Sequence, residues 1–359
     1  MSEQDNNGRN GKRPFSFHTD LSVFMPATEE EKAQQDIMRP SSTFWRDGFR
    51  NFRKNKLAFG SLILLIIIIF TILIVPMLIP YGYDEIIRID GKRDKTLSNL
   101  KPMQWSEREL EAKANGKEIF PHILGTDSLG RDYLVRTLYG TRISLFIGFF
   151  ASIIVLIIGL LYGSISGFAG GKIDLLMMRI VDIIYSLPDM LLIILLSVVL
   201  REAIGDKIQG TFLSKLGTGM LSMFIVFGLL YWVGMARLVR GQILAIKEND
   251  YVLAARSVGA SNARIIRKHI LPNCISVIII STALQIPSAI FTESFLSFLG
   301  LGVAMPMPSL GSLASDARGA IQSYPHKLLY PALMICLLVL TLNIIGDGLR
   351  DAFDPKLRK

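Results

Sequence analysis

The chain has 359 residues, 50% of them hydrophobic, and its 39 Lys and Arg against 30 Asp and Glu give a formal net charge of +9. So large an apolar fraction excludes an ordinary water-soluble domain, because the excess lies in long uncharged runs. The four histidines show no metal-ligand spacing, and Cys274 and Cys336 both fall in apolar runs, where they read as small apolar residues.

Residues 1–45 are polar and mixed in charge and read as a flexible tail; no apolar segment with a cleavage site opens the chain, so no removable signal peptide is expected. In "FWRDGFRNFRKNK", Arg46, Arg50, Arg53, Lys54 and Lys56 alternate with Phe44, Trp45, Phe49 and Phe52. This pattern predicts a basic amphipathic helix over 46–56, lying at the inner membrane surface with its aromatic residues in the interface.

A bilayer core about 30 Å thick takes roughly 20 helical residues to cross. No charge interrupts Leu57–Tyr83, Ile143–Gly171, Leu216–Ala236, Ile270–Thr292 or Leu328–Gly346, and Ile180–Leu200 carries only Asp182 and Asp189 among ionisable residues. Six transmembrane helices are predicted, at about 57–80, 143–168, 178–200, 217–238, 273–299 and 328–348. The basic flank before the first helix, the segment Arg237–Pro272 and the tail 352–359 ending "DPKLRK" then share one side, which the excess of Lys and Arg assigns to the cytoplasm. Residues 81–140 fall outside. They too carry many Lys and Arg, but long loops translocate largely regardless of charge. This outer segment is turn-rich, with a helical piece around Ser106–Ala114.

Within it, "GTDSLGRD" (125–132) has the Gly125–Gly130 spacing that opens a phosphate loop. Arg131 and Asp132 stand where that motif needs Lys and Ser or Thr, so the stretch reads as a turn capping an interfacial helix over about Arg131–Leu138. The chain shows no other nucleotide-binding motif and no nucleophile–base–acid set. Uphill movement would draw its energy from a partner or an ion gradient.

In the second span Gly159, Gly163 and Gly167 lie on one helix face and permit close approach of another helix. Pro188 in "YSLPDM" and Pro287 in "LQIPSA" are expected to break two helices, a device that either lines a cavity or serves packing. Asp182, Asp189 and Glu293 lie nearest membrane depth, where an acid costs about 2.5–3.5 kcal/mol. Each needs a partner, a pore or a near-surface position, and structural interface roles are favoured over substrate binding. Asp182 is placed near the inner end of its span and Glu293 towards the outer end of its own.

The segment "YVLAARSVGASNARIIRKHILPN" (251–273), within a cytoplasmic loop 241–272, reads as helix, turn, helix. Asp250–Val258 forms the first helix, Gly259 ends it and Ser261 caps a basic second helix that Pro272 stops. A membrane-anchored helix-turn-helix regulator acting on DNA is disfavoured, because a segment whose ends both run directly into the bilayer could hardly lie along a DNA groove. Ala254 and Ala255 give a slim profile that enters a groove on another protein, with Arg256, Arg264 and Arg267 offering charged contacts.

This stretch resembles the signature loop of ABC importer permeases: Ala-Ala, three residues, Gly, and a Leu-Pro ending thirteen residues after the Gly. "LAARSVG" and "ILP" match, with Leu253 where Glu often opens the motif and His269 where Ile is usual. Both departures, together with "GTDSLGRDYLVRTLYGTRISL", "TESFLSFLGLG" and "GDGLRDAFDP", resemble the C-type permease subunits of oligopeptide and dipeptide importers, over most of residues 45–355. The resemblance implies an all-α polytopic type I ABC importer permease fold, a five-helix core at 141–351 plus the N-terminal helix. It implies a bacterial plasma membrane location with both termini cytoplasmic. It further implies as partners a second, homologous permease, two ATPase subunits that bind the ATP and magnesium, an extracellular substrate-binding lipoprotein, peptide and membrane lipid, with no cofactor in this chain and no nucleic acid. The ATPase-coupling residues would be Tyr251, Ala254, Ala255, Arg256, Ser257, Gly259, Ala260, Ser261, Arg264, His269 and Pro272. Nickel importers share the architecture, so nickel stays open as the cargo. An ion-coupled carrier would show repeated halves and paired buried charges, which are not evident here.

Overall fold

The computed structural model describes residues 44–89, 91–205, 207, 210–211 and 216–353. The expected tails, apart from their residues next to 44 and 353, lie outside the described residues. The chain divides into two compact units, Met1–Arg46 and Asp47–Lys359. Of the first, only the opening turn of a helix is described; the second holds the rest of that helix and every later element.

Helix α1 (Phe44–Lys54) carries Asp47 in its first turn and Arg53 and Lys54 in its last, a placement that suits the helix dipole. It realises the basic helix expected at 46–56, with one correction. Phe49 is exposed, but Phe52 is buried where α1 meets Gly348, so it packs on protein rather than entering the interface. Asn55 caps α2 (Lys56–Leu78), its side chain accepting the Ala58 N–H at 3.2 Å. A narrow stripe of α2, Ala58, Ser61, Ile68 and Ile72, is buried, and its remaining isoleucines face outwards.

The outer segment folds around a short antiparallel pair, β1 (Arg88–Ile89) with β2 (Lys92–Arg93), and α3 (Glu107–Ala114). Ser106 and Glu109 close a capping box at the start of α3, where the sequence places a helical piece. The helices α4 (Tyr133–Ala169), α5 (Gly171–Ser186), α6 (Asp189–Gly205), α7 (Thr218–Ile246), α8 (Asp250–Ser257), α9 (Asn262–Phe298), α10 (Leu310–Arg318) and α11 (His326–Phe353) come next along the chain. Among the described residues, α2, α4, α7, α9 and α11 are long and apolar enough to cross a membrane, and α5 with α6 makes a sixth candidate bent by 88° at the break.

The apolar runs located these helices but underestimated several. Asp132 caps α4 through the Val135 N–H at 3.0 Å, and α4 continues unbroken to Ala169. There is no separate interfacial helix at 131–138. The first turns of α4 carry buried polar residues: Arg136 meets the Tyr83 carbonyl at 3.2 Å and Asp127 at 3.4 Å in the outer segment, and the Thr137 hydroxyl donates to the Tyr133 carbonyl one turn back. Pro188 breaks the chain between α5 and α6 as expected, but Pro287 lies inside continuous α9, buried. Pro272 does not stop a helix either. It comes just after a π-turn over Ile266–Ile270, whose wider turn shifts the register just where a proline would otherwise meet the carbonyl one turn back.

Helix α4 is the central element. A Cβ on Gly163 would lie 2.5 Å from the Ala236 carbonyl oxygen and 2.9 Å from the Val239 Cβ, one on Gly159 would lie 2.6 Å from the Met235 Cβ, and one on Gly167 would lie 3.0 Å from the Arg240 carbonyl oxygen. The expected glycine face therefore packs within this chain, against α7. Gly148 gives α9 the same access at Ile290. Val155, Val239, Ile243, Val252, Ile265, Ile270 and Cys274 form a continuous core that joins α4, α7, α8 and α9.

Candidate functional site

Residues 247–261 link α7 to α9 and hold α8, so the two long helices run well into the expected loop 241–272. Helix α8 ends in a Schellman arrangement. The Ala260 N–H donates to the Ala255 carbonyl at 3.1 Å and the Gly259 N–H to that of Arg256 at 3.0 Å. Gly259 has φ of +84°, a left-handed conformation that glycine adopts without strain. Ser261 then caps α9, its hydroxyl accepting the Arg264 N–H at 3.4 Å.

One face of this loop is committed to the protein. Val252 and Ile265 are fully buried, Ala255 and Ala260 are half-buried against the same core, and the Arg256 guanidinium sits 5.7 Å from the Phe168 ring centroid. The other face is open. Tyr251, Leu253, Ala254, Ser257 and Gly259 are exposed, and Val258 is 88% exposed. Tyr251, Ala254 and Val258 lie at helical spacing along one line. The expected slim pair is thus divided: Ala254 faces out, whereas Ala255 faces the core. Arg264 is exposed. His269 is half-buried in the π-turn, and its carbonyl accepts the Asn273 side-chain N–H at 2.6 Å. The same amide group reaches the Tyr251 hydroxyl at 3.2 Å, tying α8 to α9 near exposed Pro272.

Behind the loop lies a polar anchor that sequence reasoning did not find. Arg240 on α7 forks onto buried Asp174 on α5, and the buried Ser166 hydroxyl of α4 donates to the same carboxylate. Lys247 reaches the Gly167 carbonyl at 3.4 Å. Asp174 and Arg240 lie 66 positions apart; the only local signal was an acid in the first turn of α5, next to two glycines with positive φ.

The acids near membrane depth separate into three situations. Asp182 pairs with Arg237 at 2.7 Å, both partly exposed, and the Arg237 guanidinium lies 4.3 Å from the Tyr185 ring centroid. Asp189 opens α6 beside Pro188 and lines a cleft of about 420 Å³ with Tyr185 and Tyr231. Glu293, by contrast, is fully buried on α9 among serine hydroxyls.

In the outer segment, the Asp127 carboxylate accepts the backbone N–H groups of Leu129 and Arg131 and the Arg131 side chain. The amides of "GTDSLGRD" are thus turned onto the chain's own carboxylate, not onto a phosphate. Nearby, fully buried His122 bridges Asp132 at 3.0 Å and Glu109 at 2.9 Å. Burial opposes its charge, but hydrogen bonds to Asp132 and Glu109 and their negative charges prevail, raising the imidazole pKa to about 9.

A family model described as "Binding-protein-dependent transport system inner membrane component" matches residues 159–359. A second, for the N-terminal transmembrane domain of oligopeptide transport permease C, matches residues 43–102. The chain is 41% identical over 339 residues to the oligopeptide transport system permease protein OppC of Bacillus subtilis, covering 94% of this chain and 98% of that one. It is 40% identical over 337 residues to the dipeptide transport system permease protein DppC of the same organism, covering 94% and 93%. Among solved structures, the MetNI methionine ABC transporter in inward-facing conformations aligns with 61% of this chain and 97% of that one, at 20% identity and a TM-score of 0.48.

Proposed function

Because the chain belongs to the binding-protein-dependent transport system inner membrane component family, we propose that it is the permease subunit of an ATP-driven importer that passes oligopeptides or dipeptides across a plasma membrane. It is the non-catalytic, multi-pass membrane part of such a transporter. A second, homologous permease completes the pathway, two ATPase subunits bind ATP and magnesium, and an extracellular lipoprotein delivers the peptide. The termini and the α7–α9 loop face the cytoplasm.

The observation that carries this reading is the divided character of α8. Its outer line, Tyr251, Ala254 and Val258, is small or apolar and open, while Val252 and Ala255 fix its inner side to α4, α7 and α9. A short helix held in this way suits a cleft on an ATPase subunit: a push on α8 goes directly into three long helices. The Asp174–Arg240 fork stiffens the same junction. At the membrane, the break at Pro188 and the π-turn over Phe227–Tyr231 bound the Asp189 cleft, which we assign to the pathway or to the interface with the second permease.

The test is reconstitution of the whole complex in liposomes with the binding protein outside. Expected are peptide uptake that requires ATP and an ATPase rate stimulated by peptide-loaded binding protein. Uptake of nickel but not peptide would replace the substrate. Uptake driven by an ion gradient without ATP would overturn the class. For orientation, a cysteine at exposed Asn115 should react with an impermeant thiol reagent applied outside, and one at Asn262 should not; the reverse refutes the topology.

A further inference from the structure

Glu293 is fully buried in a membrane helix, and among the described residues no cation pairs with it. Its partners are hydroxyls. Ser144 on α4 donates to one carboxylate oxygen at 2.7 Å and Ser297 on α9 to the other at 2.7 Å. Each serine passes the interaction on. The Ser144 hydroxyl accepts the backbone N–H of Leu310, the first residue of α10, at 3.3 Å. The Ser297 hydroxyl accepts the backbone N–H of Val303 at 3.1 Å. One carboxylate therefore orients two serines, and the serines grip the connection between α9 and α10 at two separate points. The backbones there are in direct contact, since a Cβ on Gly302 would collide with Ser297 and one on Gly311 with Ser294.

The position of this grip along α9 gives it meaning. Helix α9 is continuous from Asn262, next to the Ser261 cap in the α8 loop, to Phe298. Glu293 lies roughly 45–50 Å along the helix from that cap, at 1.5 Å per residue. The near end of α9 belongs to the loop, and the far end holds the outer connection.

We infer that Glu293 is a positioning residue that makes the α9–α10 connection move with α9, so that a displacement of the α8 loop on one side of the membrane changes the packing of α10 on the other. This rests on the ATP-driven importer reading. A carboxylate suits the task because it accepts from both serines at once and leaves each serine oxygen free to accept a backbone N–H. An apolar residue would let both serines turn away, and unsatisfied amides would loosen the connection.

The experiment uses the complete transporter with Cys274→Ala, Cys336→Ala and Ala314→Cys in this chain. Ala314 is buried on α10, so the reactivity of position 314 towards an impermeant thiol reagent reports repacking of that helix. With Glu293 present, reactivity should differ between the nucleotide-free and vanadate-trapped states. In Glu293→Ala, and in Ser144→Ala, which removes the Glu293–Ser144–Leu310 arm and leaves the Ser297 arm in place, that difference should vanish. Peptide uptake per ATP hydrolysed should fall roughly tenfold or more, the scale of one buried hydrogen bond left unmade. Glu293→Gln, which keeps the shape and one carbonyl acceptor, should fall between. A nucleotide-dependent difference that survives in either alanine variant overturns the inference, and so does failure of both to assemble, since Glu293 would then serve folding alone. A parent complex that shows no ATP-dependent uptake would refute the importer reading instead.

Discussion

Arg240 on α7 grips Asp174 on α5 with two hydrogen bonds of 2.5 Å, Nε to one carboxylate oxygen and Nη2 to the other. The pair ties the two helices beside the α8 loop, and Ser166 adds α4 to the same carboxylate. Asp174→Asn keeps the shape but leaves a half-buried guanidinium without its anion. We predict a loss of about 1–3 kcal/mol, read as a lower thermal midpoint of the detergent-solubilised complex, together with reduced uptake per ATP. Arg240→Lys keeps the charge without the fork and should lie between. Wild-type midpoints and uptake in both variants would show the fork to be incidental.

Gly163→Leu is predicted to destabilise this chain itself, because the glycine face meets α7 of the same chain. Overpacking a tight interface costs about 1–3 kcal/mol, and contact with a backbone oxygen leaves little room to relax. Proteolysis or thermal unfolding of the chain expressed without its partners is the measurement. A variant that is stable alone yet fails only in assembly would place the glycine face at a subunit interface instead.

Loop substitutions should separate by face. Ala254→Arg puts bulk on the open line of α8 and should abolish peptide-stimulated ATP hydrolysis while leaving the thermal midpoint of the chain intact. Ala255→Arg points at the core and should lower that midpoint as well. Gly259→Val forces a β-branched residue into φ of +84°, at a cost of about 1–3 kcal/mol, and misplaces α8 relative to α9. If the two alanine variants behave alike, the division of the faces is wrong.

The His122 bridge predicts a pH dependence of the outer segment. The folded pKa, about 9, lies above the ordinary histidine value of 6.5. The stabilisation is therefore fully present below pH 6.5 and is lost as the pH rises through about 9, a total on the order of 3 kcal/mol. Hydrogen exchange of residues 107–132 should accelerate between about pH 7.5 and 10 beyond the intrinsic chemical increase. His122→Gln should remove that excess; an unchanged excess in the variant would assign it to another group.

What the sequence made legible depends on physical scale. Apolar runs of bilayer length located the five helices that, among the described residues, are long and apolar enough to span, because lipid demands an uninterrupted apolar surface; the sixth run, expected as one helix at 178–200, falls on the bent pair α5 and α6. Gly259 and Ser261 were readable because caps are local chemistry. The first turns of α4 were not, since Arg136 finds its partners, Asp127 and the Tyr83 carbonyl, in an outer segment that periodicity cannot see. Pro272 misled because a π-turn absorbs what proline removes, and Pro287 because it sits buried inside a helix that continues through it. The phase of α8, which sends Ala255 inwards and Ala254 outwards, depends on where Val252 finds its pocket. The Glu293 serine relay joins residues up to 166 positions apart, beyond any local pattern.

Helix α2 is held along one narrow stripe, and Ile63, Ile66, Ile67, Phe70 and Ile74 remain exposed. Its 23 residues span about 35 Å, somewhat more than an average hydrocarbon core of about 30 Å. A thinner bilayer is therefore expected to tilt α2, and the tilt would act where Ala58 and Phe52 close on Gly348 of α11. The Gly348 junction should accordingly loosen in vesicles of shorter acyl chains, measured as faster thiol labelling of Ala58→Cys, and labelling that ignores chain length would disprove the link. Labelling that follows chain length would make the least enclosed helix a gauge of membrane thickness, with its reading taken at the junction of α1, α2 and α11.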